Sequence, residues 1–137
     1  MKLAIIGATG LVGKTLLTVL RERGFYYEDL LLVASEASAG QLIRVEDHDH
    51  PLIDIQAALA AQPTLAIFAA GTDVALAWAP RFVAVGTTVI DNSAAWRLHP
   101  SHKLIVPEVN GHLLRHEDQL IANPNCSTIQ LVMALAP

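Results

Sequence analysis

The chain has 137 residues, 53% of them hydrophobic and 16% charged, with a formal net charge of −4. That length supports one domain with a real core. The acidic balance argues against a nucleic-acid partner, whose binders carry a basic patch. No apolar run reaches the ~18 residues a membrane span needs. The longest candidate, Val74 to Val85, is interrupted by Pro80 and Arg81. The start of the chain is too short an apolar run for a secretory signal. A single cysteine rules out an internal disulfide and suits a reducing cytoplasm.

In chain order, Leu3–Ile6 reads as a buried parallel strand, followed by the glycine turn Gly7-Ala8-Thr9-Gly10-Leu11-Val12-Gly13. From Gly10 the apolar period becomes helical, with Val12, Leu16 and Leu20 four apart and Gly24 as the stop. Leu30–Ala34 is a second buried strand, which completes a βαβ unit with a right-handed crossover. Gln41–Val45 and Pro51–Ile55 could pair as a hairpin around Asp47-His48-Asp49-His50. Leu65–Ala69 is a strong strand ending at Gly71. Asp73–Val85 reads as a helix that Pro80 should kink or break. Thr88–Ile90, Leu104–Val106 and Leu120–Ala122 are further strands, Val106–Asn110 a turn, and a last helix runs from about Ser127 to Ala136. Strands alternating with helices give an α/β fold with a doubly wound, mainly parallel sheet. The chain stops at or just after that last helix, as a cut chain would.

The glycines at 7, 10 and 13 carry the first chemical signal. Gly7 can make the tight turn, Gly10 can let the backbone approach a pyrophosphate, and Gly13 can let helix pack on sheet. The amide groups and dipole at the helix start favour phosphate. A glycine-rich turn without ligand is the plain alternative. The second strand runs into Ala34-Ser35-Glu36-Ala37-Ser38, where Ser35 and Ser38 either bind a 2′-phosphate or begin a turn. Glu36 beside them is the residue type that binds a ribose diol.

The second signal is Asn123-Pro124-Asn125-Cys126-Ser127-Thr128, set between a strand and a helix. Asn125 is a good helix cap. Cys126 then falls in the first turn, where the helix dipole favours the nucleophilic thiolate. A buried structural cysteine is the alternative. The carboxyl edge of a parallel sheet binds ligands, so the glycine turn and Cys126 should share one rim. Together they suggest oxidation of a thiohemiacetal to a thioester. Arg97 follows a buried strand and either grips a phosphate or carboxylate or lies on the surface with a packed stem. His48 and His50 sit among aspartates in what should be a solvated turn, so no metal site is expected, and no general base within reach of Cys126 is evident.

With these residues in view, the chain resembles the amino-terminal domain of bacterial aspartate-semialdehyde dehydrogenases over essentially its whole length. The matching segments are GATGLVG at 7–13, VIDNSAAWR at 89–97, LIVPEVN at 104–110 and IANPNCSTIQLV at 121–132. The resemblance implies a Rossmann-like dinucleotide-binding domain over residues 1–137, with the second domain absent. It implies NADPH-dependent reduction of aspartyl 4-phosphate to aspartate 4-semialdehyde and phosphate, a step toward lysine, methionine and threonine. Cys126 would be the acyl-thioester nucleophile. Arg97, with Asn125 beside it, would bind substrate phosphate. Gly7, Thr9, Gly10, Leu11, Val12 and Gly13 would hold the pyrophosphate, Ser35 and Ser38 would lie near the 2′-phosphate, and Gly71 would border the cofactor.

The chain departs from the family at Ala37 and Gln41, where arginine and lysine are usual, so NADP is expected with NAD as the alternative. Thr72 stands where a second glycine is common. The family's catalytic histidine and other substrate-binding residues come from the later domain, as does most of its homodimer interface. Alone, the chain should bind dinucleotide weakly and not turn over. Two competing readings are a non-catalytic paralogue used for interaction and a dinucleotide-sensing module with an unreactive Cys126.

Overall fold

The computed structural model describes residues 1–45 and 47–136; Pro137, with which the apparent cut ends, lies outside the described residues. The strands are β1 (Lys2–Ile6), β2 (Asp29–Val33), β3 (Leu42–Val45), β4 (His48–Ile53), β5 (Leu65–Phe68), β6 (Thr88–Asp91), β7 (Lys103–Leu104) and β8 (Leu120–Ala122). They form one sheet in the order β3-β4-β2-β1-β5-β6-β8-β7. Every pairing is parallel except β3 with β4. The strand order runs outward from β1 in both directions, and that reversal is the switch point where open α/β sheets bind ligands.

The continuous apolar strands bury both faces, as the composition required. Along β1, Ala4 and Ile6 enter one apolar cluster while Leu3 and Ile5 enter the other. β5 divides the same way, Ala66 and Phe68 against Leu65 and Ile67. The first cluster lies under α2 (Ile55–Ala60) and α3 (Thr72–Ala84), and the second under α1 (Leu11–Glu22). Phe68 of β5 meets Phe82 of α3 edge to face, with ring centroids 5.5 Å apart.

Several expectations are corrected. α3 runs through Pro80 without a break. Ala75, Ala79 and Phe82 lie on one face at helical spacing and are fully buried. Their packing outweighs the ~3 kcal/mol a mid-helix proline costs. The hairpin exists, but its connection is shorter than expected: His48 pairs with Val45 and His50 with Ile43. The two histidines are therefore strand residues of β4 rather than the tip of a solvated turn. β7 stops at Leu104, and residues 107–110 form one helical turn, α4 (Pro107–Asn110). α2 is an element the apolar pattern did not announce. It is capped by Asp54, whose carboxylate accepts the Ala57 amide at 2.7 Å.

The covering is uneven. The sheet face over β6 and β8 carries half-buried Ile90 and Ile121. The last helix, α5 (Cys126–Leu135), buries none of its residues, and Leu131 and Leu135 are 59% and 72% exposed. Among the described residues no helix is long and apolar enough to cross a membrane.

Candidate active site

Because the central strands are parallel, the chain leaves β1, β2, β4, β5, β6 and β8 at one edge of the sheet. Both sequence signals lie on that edge: the glycine turn follows β1 and Cys126 follows β8.

The glycine turn is built by close approach. Gly7 has φ +90°, and its amide and that of Ala8 both donate to the Val33 carbonyl at 2.9 and 3.0 Å. A Cβ at Gly7 would lie 2.7 Å from the Ala69 carbonyl oxygen of the neighbouring strand end. A Cβ at Gly13 would overlap the Gly7 carbonyl and come within 2.8 Å of Ala8 Cα. These two glycines are demanded by packing. Gly10 has an ordinary φ of −72° and caps α1 without a side-chain bond. A Cβ there would meet only the Gly7 oxygen, at 3.4 Å. Its protein neighbours alone do not require glycine. The first amides of α1 have no intrahelical acceptor, and the exposed Leu11 and Val12 leave them open to an anion.

A cleft of about 410 Å³ opens beside the turn. Ile6, Gly7 and Thr9 form one side, and Val33 to Glu36 another. Asp54, Ile55 and Gln56 at the start of α2 close it, with Ala70, Val74 and Trp78 opposite. Its size suits a nucleoside-sized ligand. Ser35 and Glu36 line it as expected. Ser38 lies one turn further along Glu36–Ser38, half-buried and outside the lining. Gly71 has φ +93° and starts α3 at the rim next to Ala70. A second, shallower groove is bounded by Leu11, Val12, Thr15, Leu16, Val19 and Asn92, and it links the glycine turn to the end of β6.

At the cysteine end, Asn125 caps α5, accepting the Ser127 amide at 3.0 Å. Cys126 is a free, exposed thiol in the first turn, 3.9 Å from Asn125 Oδ1. No other side chain among the described residues hydrogen-bonds the sulfur, so no base is in contact with it. It does not sit in the apolar interior, which removes the structural-cysteine reading.

Arg97 is placed beside this loop but is committed to it. Its Nε donates to the Asn123 carbonyl at 3.0 Å and its Nη2 to the Asn92 carbonyl at 2.9 Å. The guanidinium therefore clamps the chain leaving β8 to the chain leaving β6, and only Nη1 is without a protein partner among the described residues. Asn123 Nδ2 donates to Asn92 Oδ1 at 2.6 Å, and Asn92 Nδ2 donates to the Phe68 carbonyl at 3.0 Å. These bonds lock the ends of β5, β6 and β8 together. Asp91 is fully buried beneath them. Desolvation pushes its carboxyl above the ordinary aspartate value, partly offset by hydrogen bonds from the Ser93 hydroxyl and amide and by the Arg97 charge. Sequence reasoning missed Asp91, Asn92 and Asn123. The polar run Asp-Asn-Ser straight after a buried strand was the available signal. It also missed the α2 wall of the cleft, which no local pattern reveals. Among the described residues no three His, Cys, Asp or Glu side chains cluster to hold a metal.

Fold and rim define a dinucleotide-binding α/β domain that carries a solvent-accessible thiol on its ligand edge. The model of the semialdehyde dehydrogenase NAD-binding domain matches residues 2–117; the chain belongs to that family. It is 43% identical over 139 aligned residues to the aspartate-semialdehyde dehydrogenase of Aquifex aeolicus, a match covering 99% of this chain and 41% of that protein. The Bacillus subtilis enzyme of the same name is 39% identical over all of this chain and 40% of its own length. In three dimensions the chain is similar to Vibrio cholerae aspartate semialdehyde dehydrogenase II complexed with ASA. That match has a TM-score of 0.92 and 41% identity, covering 98% of this chain and 45% of that one. The chain spans about two fifths of the length of the curated relatives it matches.

Proposed function

We propose that residues 1–137 are the coenzyme-binding, nucleophile-bearing domain of an aspartate-semialdehyde dehydrogenase whose remaining catalytic groups lie in a second domain. The observation that carries this reading is the exposed Cys126, at the start of α5, on the same sheet edge as the glycine turn. The uncovered apolar surface of α5 supports a further body of protein on that side. The whole protein would act on aspartyl 4-phosphate and aspartate 4-semialdehyde in the cytoplasm, as a homodimer.

The residues fit a dinucleotide: the open amides of α1 take the pyrophosphate and the cleft beside them takes the adenosine half. A reduced nicotinamide held there would supply hydride to the acyl group carried by Cys126 Sγ, after which the carbon–sulfur bond breaks, releasing the aldehyde and restoring the thiolate. Cys126 Sγ adds to the acyl carbon of the acyl phosphate; the bond from that carbon to the bridging oxygen breaks and phosphate leaves. Asn125 fixes the helical turn that presents Sγ. Arg97 holds the loops on either side of the leaving phosphate and offers it Nη1. Among the described residues no base contacts Sγ, so proton transfer falls to the second domain. Its loss costs about 10²–10⁴-fold before positioning is counted, so the chain alone should bind dinucleotide and show no useful turnover.

The test is a chimera in which this chain replaces the matching two fifths of the Aquifex aeolicus enzyme. Phosphate-dependent oxidation of aspartate semialdehyde that disappears in Cys126→Ser is the expected result. A folded, dinucleotide-binding chimera without activity would contradict the proposal.

A further inference from the structure

We infer that this domain selects NAD over NADP, with Glu36 as the discriminating residue. The inference rests on the reading that the cleft beside the glycine turn holds the adenosine half of a dinucleotide.

Glu36 lies at the carboxyl end of β2, three residues past Val33, and lines that cleft together with Ser35. In this type of fold a carboxylate here accepts both hydroxyls of the adenosine ribose. The Glu36 side chain is exposed and makes no hydrogen bond or ion pair among the described residues, so it is free to do so. A second carboxylate, Asp54, also lines the cleft, with one oxygen held by the Ala57 amide.

A 2′-phosphate makes the opposite demand. It brings a charge of roughly −1.5 to −2 and needs a cation or a fork of donors. Among the described residues none that lines the cleft is Lys, Arg or His. Ala37, next to Glu36, is a methyl group in solvent. Ser38, which could have donated a second hydroxyl, is outside the lining. The side-chain donors among the described lining residues, on Thr9, Ser35, Gln56 and Trp78, are all neutral, and they share the cleft with the two carboxylates. Repulsion of a dianion by exposed charges a few ångströms away amounts to about tenfold or more in affinity.

The experiment is calorimetric titration of the purified chain with NAD⁺ and NADP⁺, at low and high salt. NAD⁺ should bind at least about tenfold tighter at low salt, and the gap should shrink at high salt, because the discrimination is between screened charges. Glu36→Gln should narrow the gap by strengthening NADP⁺ binding. Ala37→Arg should strengthen NADP⁺ binding with Glu36 still in place. Both positions are exposed, so neither change endangers the fold. Equal affinities, tighter NADP⁺ binding, or a ratio that Glu36→Gln leaves unchanged would overturn the inference and leave the cleft assignment standing. If neither dinucleotide binds a chain that still melts cooperatively, the cleft assignment falls and this inference with it.

Discussion

The two ends of the ligand edge are built differently. At the glycine turn the backbone is tightly packed: Gly7 and Gly13 are pressed against backbone, strands on both sides are paired, and α1 and α3 cover opposite faces. At the cysteine, α5 carries an exposed thiol on a helix with no buried residue, and the loop beneath it is held by polar bonds. The glycine-turn end owes its shape to packing, while the cysteine end owes its shape to hydrogen bonds and carries an uncovered apolar helix.

That contrast can be broken by mutation. Phe82→Ala removes the ring under α3 and should cost about 3–5 kcal/mol, read by urea or thermal denaturation. Leu135→Ser, on α5, should change stability by no more than about 0.5 kcal/mol. Similar losses at the two positions would mean that α5 is packed after all. Arg97→Ala should cost about 1–3 kcal/mol, because it leaves two carbonyls without their donors. It should also loosen the cysteine loop, seen as faster amide exchange at 123–128 with the glycine turn unchanged.

The smallest effect is the pH response of Asp91. Its folded value is raised, chiefly by burial, so this group favours the fold fully below its unfolded value near 3.8. That contribution is lost as pH rises through the folded value. Between acid and neutral pH, wild type should therefore lose stability relative to Asp91→Asn, which carries no titrating carboxyl. Denaturation curves at several pH values check the sign, and parallel pH profiles would refute it.

How legible each region was in the sequence follows the same division. The glycine turn could be read because a continuous apolar strand, three glycines and an amphipathic helix are local signals. Asn125 and Cys126 could be read because proline and a capping residue mark a helix start. Arg97 was found, but its function as a clamp was not visible. Its partners are backbone carbonyls of Asn92 and Asn123, five and twenty-six residues away. The α2 wall was missed because six residues give too short a helical period. Pro80 misled because the burial of Ala75, Ala79 and Phe82 is a tertiary fact.

The central claim is that coenzyme and sulfur meet on one edge. Titrating the ¹⁵N-labelled chain with NADH and following backbone amides by NMR tests it most directly. The account predicts shifts at Gly7–Gly13, at Ser35 and Glu36, and at Asn125 and Cys126, in a single saturable process. Shifts confined to the opposite edge of the sheet, around Gly24, Gly86 and Gln119, or a glycine-turn response that leaves Cys126 untouched, would contradict it.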